Sequence, residues 1–330
     1  MERNRLLMVA IAIFAIGTAL GWLSSDAYTR NREANAIDQI KVINGDPQYR
    51  FIRPLLGYEA PEAKNFGQYE ELDAKLNEVV ADAQRKNVHA SVYFRDLALG
   101  AWIGVNQDEQ YAPASLLKVP LLIYYLKLAE KDSKILEEQV TVNIKDDVNS
   151  LESIKSTRMI VSGRSYSVRE LLEYMIQDSD NNAMYALFSH ANQNTLAQIL
   201  LSIGIQIPPE SKPDFVSVKT YAQFFRILYN ITFLNKDMSE YALNILSKTT
   251  YVDGLAKPIP ATVPLVHKFG EFSIKDDPNS HELHDCGIIY TSRPYLLCIM
   301  TRGSNPAELQ NTIQKISEVT YTEISSHQSK

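Results

Sequence analysis

The sequence predicts an α+β fold: an antiparallel sheet of about five strands flanked by N- and C-terminal helices, plus an all-helical lobe inserted between the halves of the sheet. Three observations carry that expectation. Strand-like segments stand at 90–95 and 101–105, and again at 263–272, 283–290 and 295–301. Between the two groups, over about 131–260, apolar residues recur at helical spacing. Amphipathic helices at 69–85 and about 306–320 bracket the whole. Separated halves of this kind must close into one sheet, and the groove between sheet and lobe is the natural place for a site.

Composition narrows the function. With 330 residues, 45% of them apolar and 22% charged, the chain has an ordinary globular composition and ample core. A net charge of −6 gives no electrostatic support for nucleic-acid binding. Residues 6–23 form an apolar run of 18 without a charge, preceded by Arg3 and Arg5, which is long enough to span a bilayer. No small-x-small pattern fits cleanly behind it, so it reads as an uncleaved membrane anchor in preference to a cleaved signal segment. Either reading makes the bulk of the chain extracytoplasmic, periplasmic or at the cell surface. Residues 24–67 are polar and broken by Pro47, Pro54, Pro61, Gly45 and Gly57, as expected of a spacer, with 51–56 apolar enough to dock on the domain. Residues 68–330 form the expected single domain, a monomer, with the lobe at about 131–260.

Each element has a local reason. The first helix carries Leu72, Leu76, Val79, Val80 and Ala83 on one face. Two strands follow, joined by a turn ending at Gly100. Residues 116–128 are apolar on nearly every side, the mark of a helix buried all round. Ser167 and Glu170 form a capping-box sequence opening a helix at 168–177. Further helices are expected at 182–190, 195–203, 219–229 and 239–247, and Asn305 with Pro306 opens the last. Cys286 and Cys298 fall opposite each other on a hairpin if a three-residue loop centres on Ser292; buried free thiols are expected ahead of a disulfide.

The chemistry centres on Ser115 and Lys118 at the opening of the buried helix, between Pro113 and Pro120. Three positions apart, their side chains share a face about 5–6 Å from each other. Desolvation and the helix dipole both disfavour an ammonium there, which suits an amine acting as base beside a serine nucleophile. Taken alone, Ser-x-x-Lys is a common pattern. Two more clusters follow in order: Ser179-Asp180-Asn181 on a loop between two lobe helices, and Lys268-Phe269-Gly270 on the first late strand. With Ser115 and Lys118, they resemble the three motifs of the serine β-lactamase and penicillin-binding-protein superfamily: Ser-x-x-Lys, Ser-Asp-Asn and Lys-Thr-Gly. The resemblance is class A β-lactamase-like and spans about 69–323.

That resemblance implies a serine hydrolase acting on cyclic amide or peptide bonds. Ser115 would attack and become acylated, Lys118 would take its proton, and Ser179 would relay a proton to the leaving nitrogen. Asn181 would hold a substrate amide, and Lys268 would supply charge beside Ser179. The oxyanion would sit between the backbone amides of Ser115 and Glu271, next to Gly270. Its substrate would be a small β-lactam or a peptide ending in D-alanine, and it needs no cofactor. Metal binding by His281, His284 and Asp285 is not expected, because strand positions three apart face opposite sides.

The sequence departs from that pattern at two places. Phe269 stands where a hydroxyl residue would help hold a substrate carboxylate, and Glu271 adds negative charge beside it. Between 202 and 217 there is no glutamate followed three residues later by Leu-Asn, the group that activates the deacylating water in class A enzymes. Glu210 is the one glutamate there and reads as a solvated loop residue. Slow deacylation follows if nothing replaces that base. Three readings stay open: a β-lactamase-like hydrolase, a D-alanyl-D-alanine carboxypeptidase or related peptidase, and a slow-turnover or non-catalytic cell-wall-ligand sensor.

Overall fold

Strands β1 (Val88–Asp96) and β2 (Trp102–Val105) form a hairpin, and β1 also pairs along its whole length with the last strand, Val88 opposite Gly303 and Asp96 opposite Tyr295. These contacts come from a computed structural model that describes residues 50–52, 69–145, 147–206, 213–274, 277 and 281–326. The apolar run at 6–23, most of the spacer, and Glu210 lie outside those residues. No described helix is long and apolar enough to cross a membrane.

The lobe adds strands β3 (Gln139–Thr141) and β4 (Ser165–Ser167), and the late strands are β5 (Leu265–Phe272), β6 (His281–Ile289) and β7 (Tyr295–Gly303). The main sheet is antiparallel with the order β2-β1-β7-β6-β5, so the early and late halves do close into one sheet. Alternation along β7 shows why it is central. Leu296, Cys298 and Met300 face the lobe, while Tyr295, Leu297 and Ile299 face the other side. That other side is covered by α1 (Glu70–Arg85) and by the C-terminal helix Pro306–Ser326, which bury Leu72, Leu76, Leu309, Ile313 and Ile316.

The lobe is built around α2 (Lys118–Ala129), whose residues from Lys118 to Leu126 are all buried. Around it stand α3 (Val168–Gln177), α4 (Asn181–His190), α5 (Gln193–Ser202), α6 (Val218–Tyr229) and α7 (Lys236–Leu246); the C-terminal helix is α8. The expected capping box is present: Ser167 accepts from the Glu170 amide while Glu170 accepts from the Ser167 amide.

Three expectations need correction. The lobe is not all-helical, because β3 and β4 pair in a small sheet of its own; three-residue strands are too short to show a period in the sequence. Cys286 and Cys298 are joined as a disulfide and are not free thiols. Their register places them directly opposite on β6 and β7, with Cα atoms 4.0 Å apart, so both side chains leave the same face at the same height. The loop between those strands is five residues, 290–294, but its centre is Ser292 as anticipated. Phe51 and Ile52 are buried on the domain: the Glu240 carboxylate accepts from their amides, and Tyr290 donates to the Phe51 carbonyl.

Candidate active site

The chain enters the site through a pinned backbone. Glu282 accepts from the Ala112 amide at 2.9 Å, and His284 Nε2 donates to the Ala112 carbonyl at 3.0 Å. Ala114 then takes a positive φ of 48°, and Ala114–Leu117 form one 3-10 turn before α2 begins at Lys118. Ser115 therefore sits on that turn and not on the α-helix proper. The turn is closed by Leu116 N donating to Pro113 O at 2.9 Å and by Tyr221 donating to Leu116 O at 2.9 Å. Pro120 falls in the first turn of α2, where a missing amide costs nothing.

The loop before α4 supplies the second motif. Asp180 is the N-cap of α4 and fully buried. It accepts from the amides of Asn182, Ala183 and Ile160 and from the side chain of Asn149. Asn149 returns a bond from its Oδ1 to the Asn181 amide at 2.7 Å. Ser179 has a φ of 56°, a strained conformation for a residue with a Cβ. Held so, its carbonyl and its hydroxyl both face Lys118.

Lys118 Nζ is fully buried and has four oxygen neighbours: Ser115 Oγ at 2.8 Å, Ser179 O at 2.7 Å, Ser179 Oγ at 2.9 Å and Asn181 Oδ1 at 2.6 Å. Burial drives it down from an ordinary 10.5 to about 7, against the pull of Glu152, Asp180 and Glu271. Two of those neighbours, the Ser179 carbonyl and the Asn181 amide oxygen, can only accept. In the neutral amine they take both N–H groups, which leaves the lone pair for a hydroxyl. Ser115 is placed to donate to it.

Lys268 reaches the same centre from β5. Its Nζ is fully buried, donates to Ser179 Oγ at 2.9 Å and to Phe269 O at 2.8 Å, and stands 4.1 Å from the centre of the Phe269 ring. Burial, then repulsion from Lys118, holds it well below its ordinary value. Gly270 is required by close approach: a Cβ there would lie 3.1 Å from Pro113 O and 3.2 Å from Leu116 N. At Gly270, β5 is thus laid against the 3-10 turn that carries Ser115.

The Glu271 side chain is held by residues 152 and 154. It accepts from the Ile154 amide at 2.7 Å and hydrogen-bonds Glu152, and burial followed by that bond raises it to about 7. Glu152 in turn accepts from Asn181 Nδ2. Thus all seven residues singled out from the sequence converge: Ser115, Lys118, Ser179, Lys268 and Asn181 in one hydrogen-bonded cluster, Gly270 and Glu271 along its edge. Sequence reasoning missed Glu152, Asn149 and Glu282, and weighed His284 only as a metal ligand. No pattern marks the first two; His284 and Glu282 were legible only as two polar residues on the same side of a buried strand. Asp285 serves elsewhere, 2.9 Å from His267 Nδ1. Among the described residues no group of three or more His, Cys, Asp or Glu is placed to hold a metal ion. The arrangement can move a proton from a serine hydroxyl to an amine and pass it along a second hydroxyl.

The family model described as the beta-lactamase enzyme family matches residues 71–324. Solved structures share the fold. PBP-A is 20% identical with a TM-score of 0.64, over 78% of this chain and 97% of that one. A beta-lactamase from Chitinophaga pinensis is 21% identical with a TM-score of 0.66, over 77% and 100%. One from Sphaerobacter thermophilus is 16% identical with a TM-score of 0.65, over 76% and 97%. A variant of PBP-A has been solved as an acyl-enzyme complex with penicillin G. A search of curated proteins finds no match.

Proposed function

The chain belongs to the beta-lactamase enzyme family, and on that premise we propose that it is a serine acyl-enzyme hydrolase that opens a β-lactam amide through Ser115. One observation carries the reading: a buried lysine at 2.8 Å from a serine hydroxyl, with its N–H groups used by acceptors that cannot donate. In the forward step the Ser115 hydroxyl gives its proton to Lys118 Nζ as Oγ bonds the substrate carbonyl carbon. The oxyanion sits between the backbone N–H groups of Ser115 and Glu271; such donors contribute roughly 10²–10³ each in rate. Collapse breaks the C–N bond, and the proton travels from Lys118 through Ser179 Oγ to the leaving nitrogen, with Lys268 stabilising that hydroxyl. Water then hydrolyses the ester at Ser115. Asn181 and the edge of β5 at Gly270 hold the substrate's amide.

Two features favour a second reading, in which the acyl-enzyme persists. The sequence lacks the loop glutamate that activates the hydrolytic water, and Phe269 with Glu271 offers no hydroxyl for a substrate carboxylate. A D-alanyl-D-alanine carboxypeptidase fits the first of these features, and a slow-turnover or non-catalytic sensor fits both. The run at 6–23 supports an extracytoplasmic placement of the domain at 68–330 on a membrane anchor, which protease accessibility of the domain on intact cells would test.

Labelling by a fluorescent penicillin, abolished in Ser115→Ala, tests the shared premise. Steady nitrocefin hydrolysis then supports the lactamase, release of D-alanine from a pentapeptide the peptidase, and labelling without either the sensor. Absence of any Ser115-dependent labelling or turnover overturns the proposal.

A further inference from the structure

Asn181 decides what Lys118 can do, and its amide has two orientations. With Oδ1 toward Lys118, as found at 2.6 Å, Asn181 takes an N–H from the amine. Turned over, its NH₂ would point at Nζ and compete with Ser115 for the lone pair. The group on the other side of the amide sets the choice. That group is Glu152, which accepts from Asn181 Nδ2. An ionised carboxylate can only accept, so it can face the amide nitrogen and not the oxygen. The sequence around Glu152 is tied down on both sides. Asn149 bonds the Asn181 amide and Asp180, and Ile154 N bonds Glu271 Oε1.

Glu271 completes the device. Its Oε1 accepts from the Ile154 amide, while it shares a hydrogen bond with Glu152. A proton on Glu271 is donated to Glu152, which keeps Glu152 an acceptor toward Asn181. A continuous line of bonds therefore runs Glu271 to Glu152 to Asn181 to Lys118 to Ser115, from the outer strand to the reacting oxygen. The half-buried pair also stands within electrostatic reach of Lys118, where Glu152 is the foremost carboxylate opposing the loss of its proton. Asp180 and Glu271 add to that opposition, and the Lys268 amine faces Lys118 from β5 across Ser179 Oγ.

We propose that Glu152 is a positioning residue for acylation: it locks the Asn181 amide with its oxygen on Lys118, leaving the lysine lone pair to Ser115. This rests on the reading of Ser115 as nucleophile and Lys118 as its base.

The test is the rate at which a neutral fluorophosphonate probe labels the full chain, measured across pH for wild type, Glu152→Ala, Glu152→Gln and Ser115→Ala. Glutamine can keep its oxygen on Asn181 while its nitrogen donates to Glu271; alanine cannot. Glu152→Ala should therefore label roughly 10²-fold more slowly, as expected when a general base is misdirected. Glu152→Gln should recover most of that rate, because its amide oxygen can still accept from Asn181 Nδ2. A rate in Glu152→Ala equal to wild type, or a rate in Glu152→Gln no faster than in Glu152→Ala, overturns the inference while leaving the nucleophile intact. Wild type that labels no faster than Ser115→Ala overturns the underlying reading, and the inference with it.

Discussion

Lys268 Nζ donates to Ser179 Oγ at 2.9 Å, and the same oxygen lies 2.9 Å from Lys118 Nζ, so one hydroxyl joins two buried amines. Two ammonium groups at that spacing, both out of water, repel each other strongly, and desolvation disfavours each. At most one stays charged at neutral pH. A proton arriving on either has a ready path through Ser179 to the other side of the cleft, which is the movement an amide-opening serine enzyme needs.

Acylation should rise with pH and level off above about 7. Lys118 acts only as the neutral amine, and burial places its loss of the proton at about 7. Rapid-mixing measurement of fluorophosphonate labelling from pH 5 to 9 checks this. A rate falling through that range would contradict Lys118 as base.

Phe269→Thr should bring carboxylate-bearing penicillins closer to ordinary recognition, at a cost in stability. The Phe269 ring is buried, 4.2 Å from the ring of Tyr251 and close over Lys268. Removing it leaves a cavity, worth about 3 kcal/mol in chemical denaturation. Labelling by a fluorescent penicillin, relative to labelling by a neutral fluorophosphonate, should rise in the variant. An unchanged ratio would show that the ring does not set substrate choice.

Much of this site was legible because its parts carry local signatures. A buried helix with a serine and lysine at its mouth, a polar triplet before a helix, and a lysine on an edge strand each stand out in the sequence. That the early and late strands close into one sheet followed from their places at both ends of the domain. What stayed hidden is long-range. Glu152 approaches Asn181 across 29 positions, and Glu271 reaches Ile154 across 117, with no repeat or spacing to announce either. The β3–β4 sheet is too short for periodicity, and the 3-10 turn under Ser115 is set by Ala114 and by contacts from β6. The disulfide needed the register of β6 against β7, which one extra loop residue would have broken.

Asp180→Ala should destabilise the fold by about 2–4 kcal/mol, by removing a helix cap and leaving buried donors on Asn149, Ile160, Asn182 and Ala183 without their acceptor. Asp180→Asn should recover part of the loss. Urea unfolding of the three proteins measures both. A change below 1 kcal/mol, roughly that of an exposed cap, would contradict the buried hub.

Glu271 should make stability fall as pH rises from about 4.5 to 7. Its folded value of about 7 exceeds its ordinary 4.5, so the folded chain keeps a proton there that the unfolded chain releases. The stabilisation is complete below 4.5 and gone above about 7. Lys118, lowered from 10.5 to about 7, acts only above that window. Glu271→Gln should therefore flatten the dependence of Tm on pH between 4.5 and 7. Parallel curves for the two proteins would contradict a shared proton.

The central claim is that Ser115 forms an ester because Lys118 takes its proton. Peptide-resolved mass spectrometry of the chain after brief exposure to a fluorophosphonate at pH 8 tests it most directly. The predicted result is one adduct, on Ser115, lost in Ser115→Ala and slowed at least about 10²-fold in Lys118→Met. An adduct on another residue, or one on Ser115 formed equally fast without the lysine, would contradict the account.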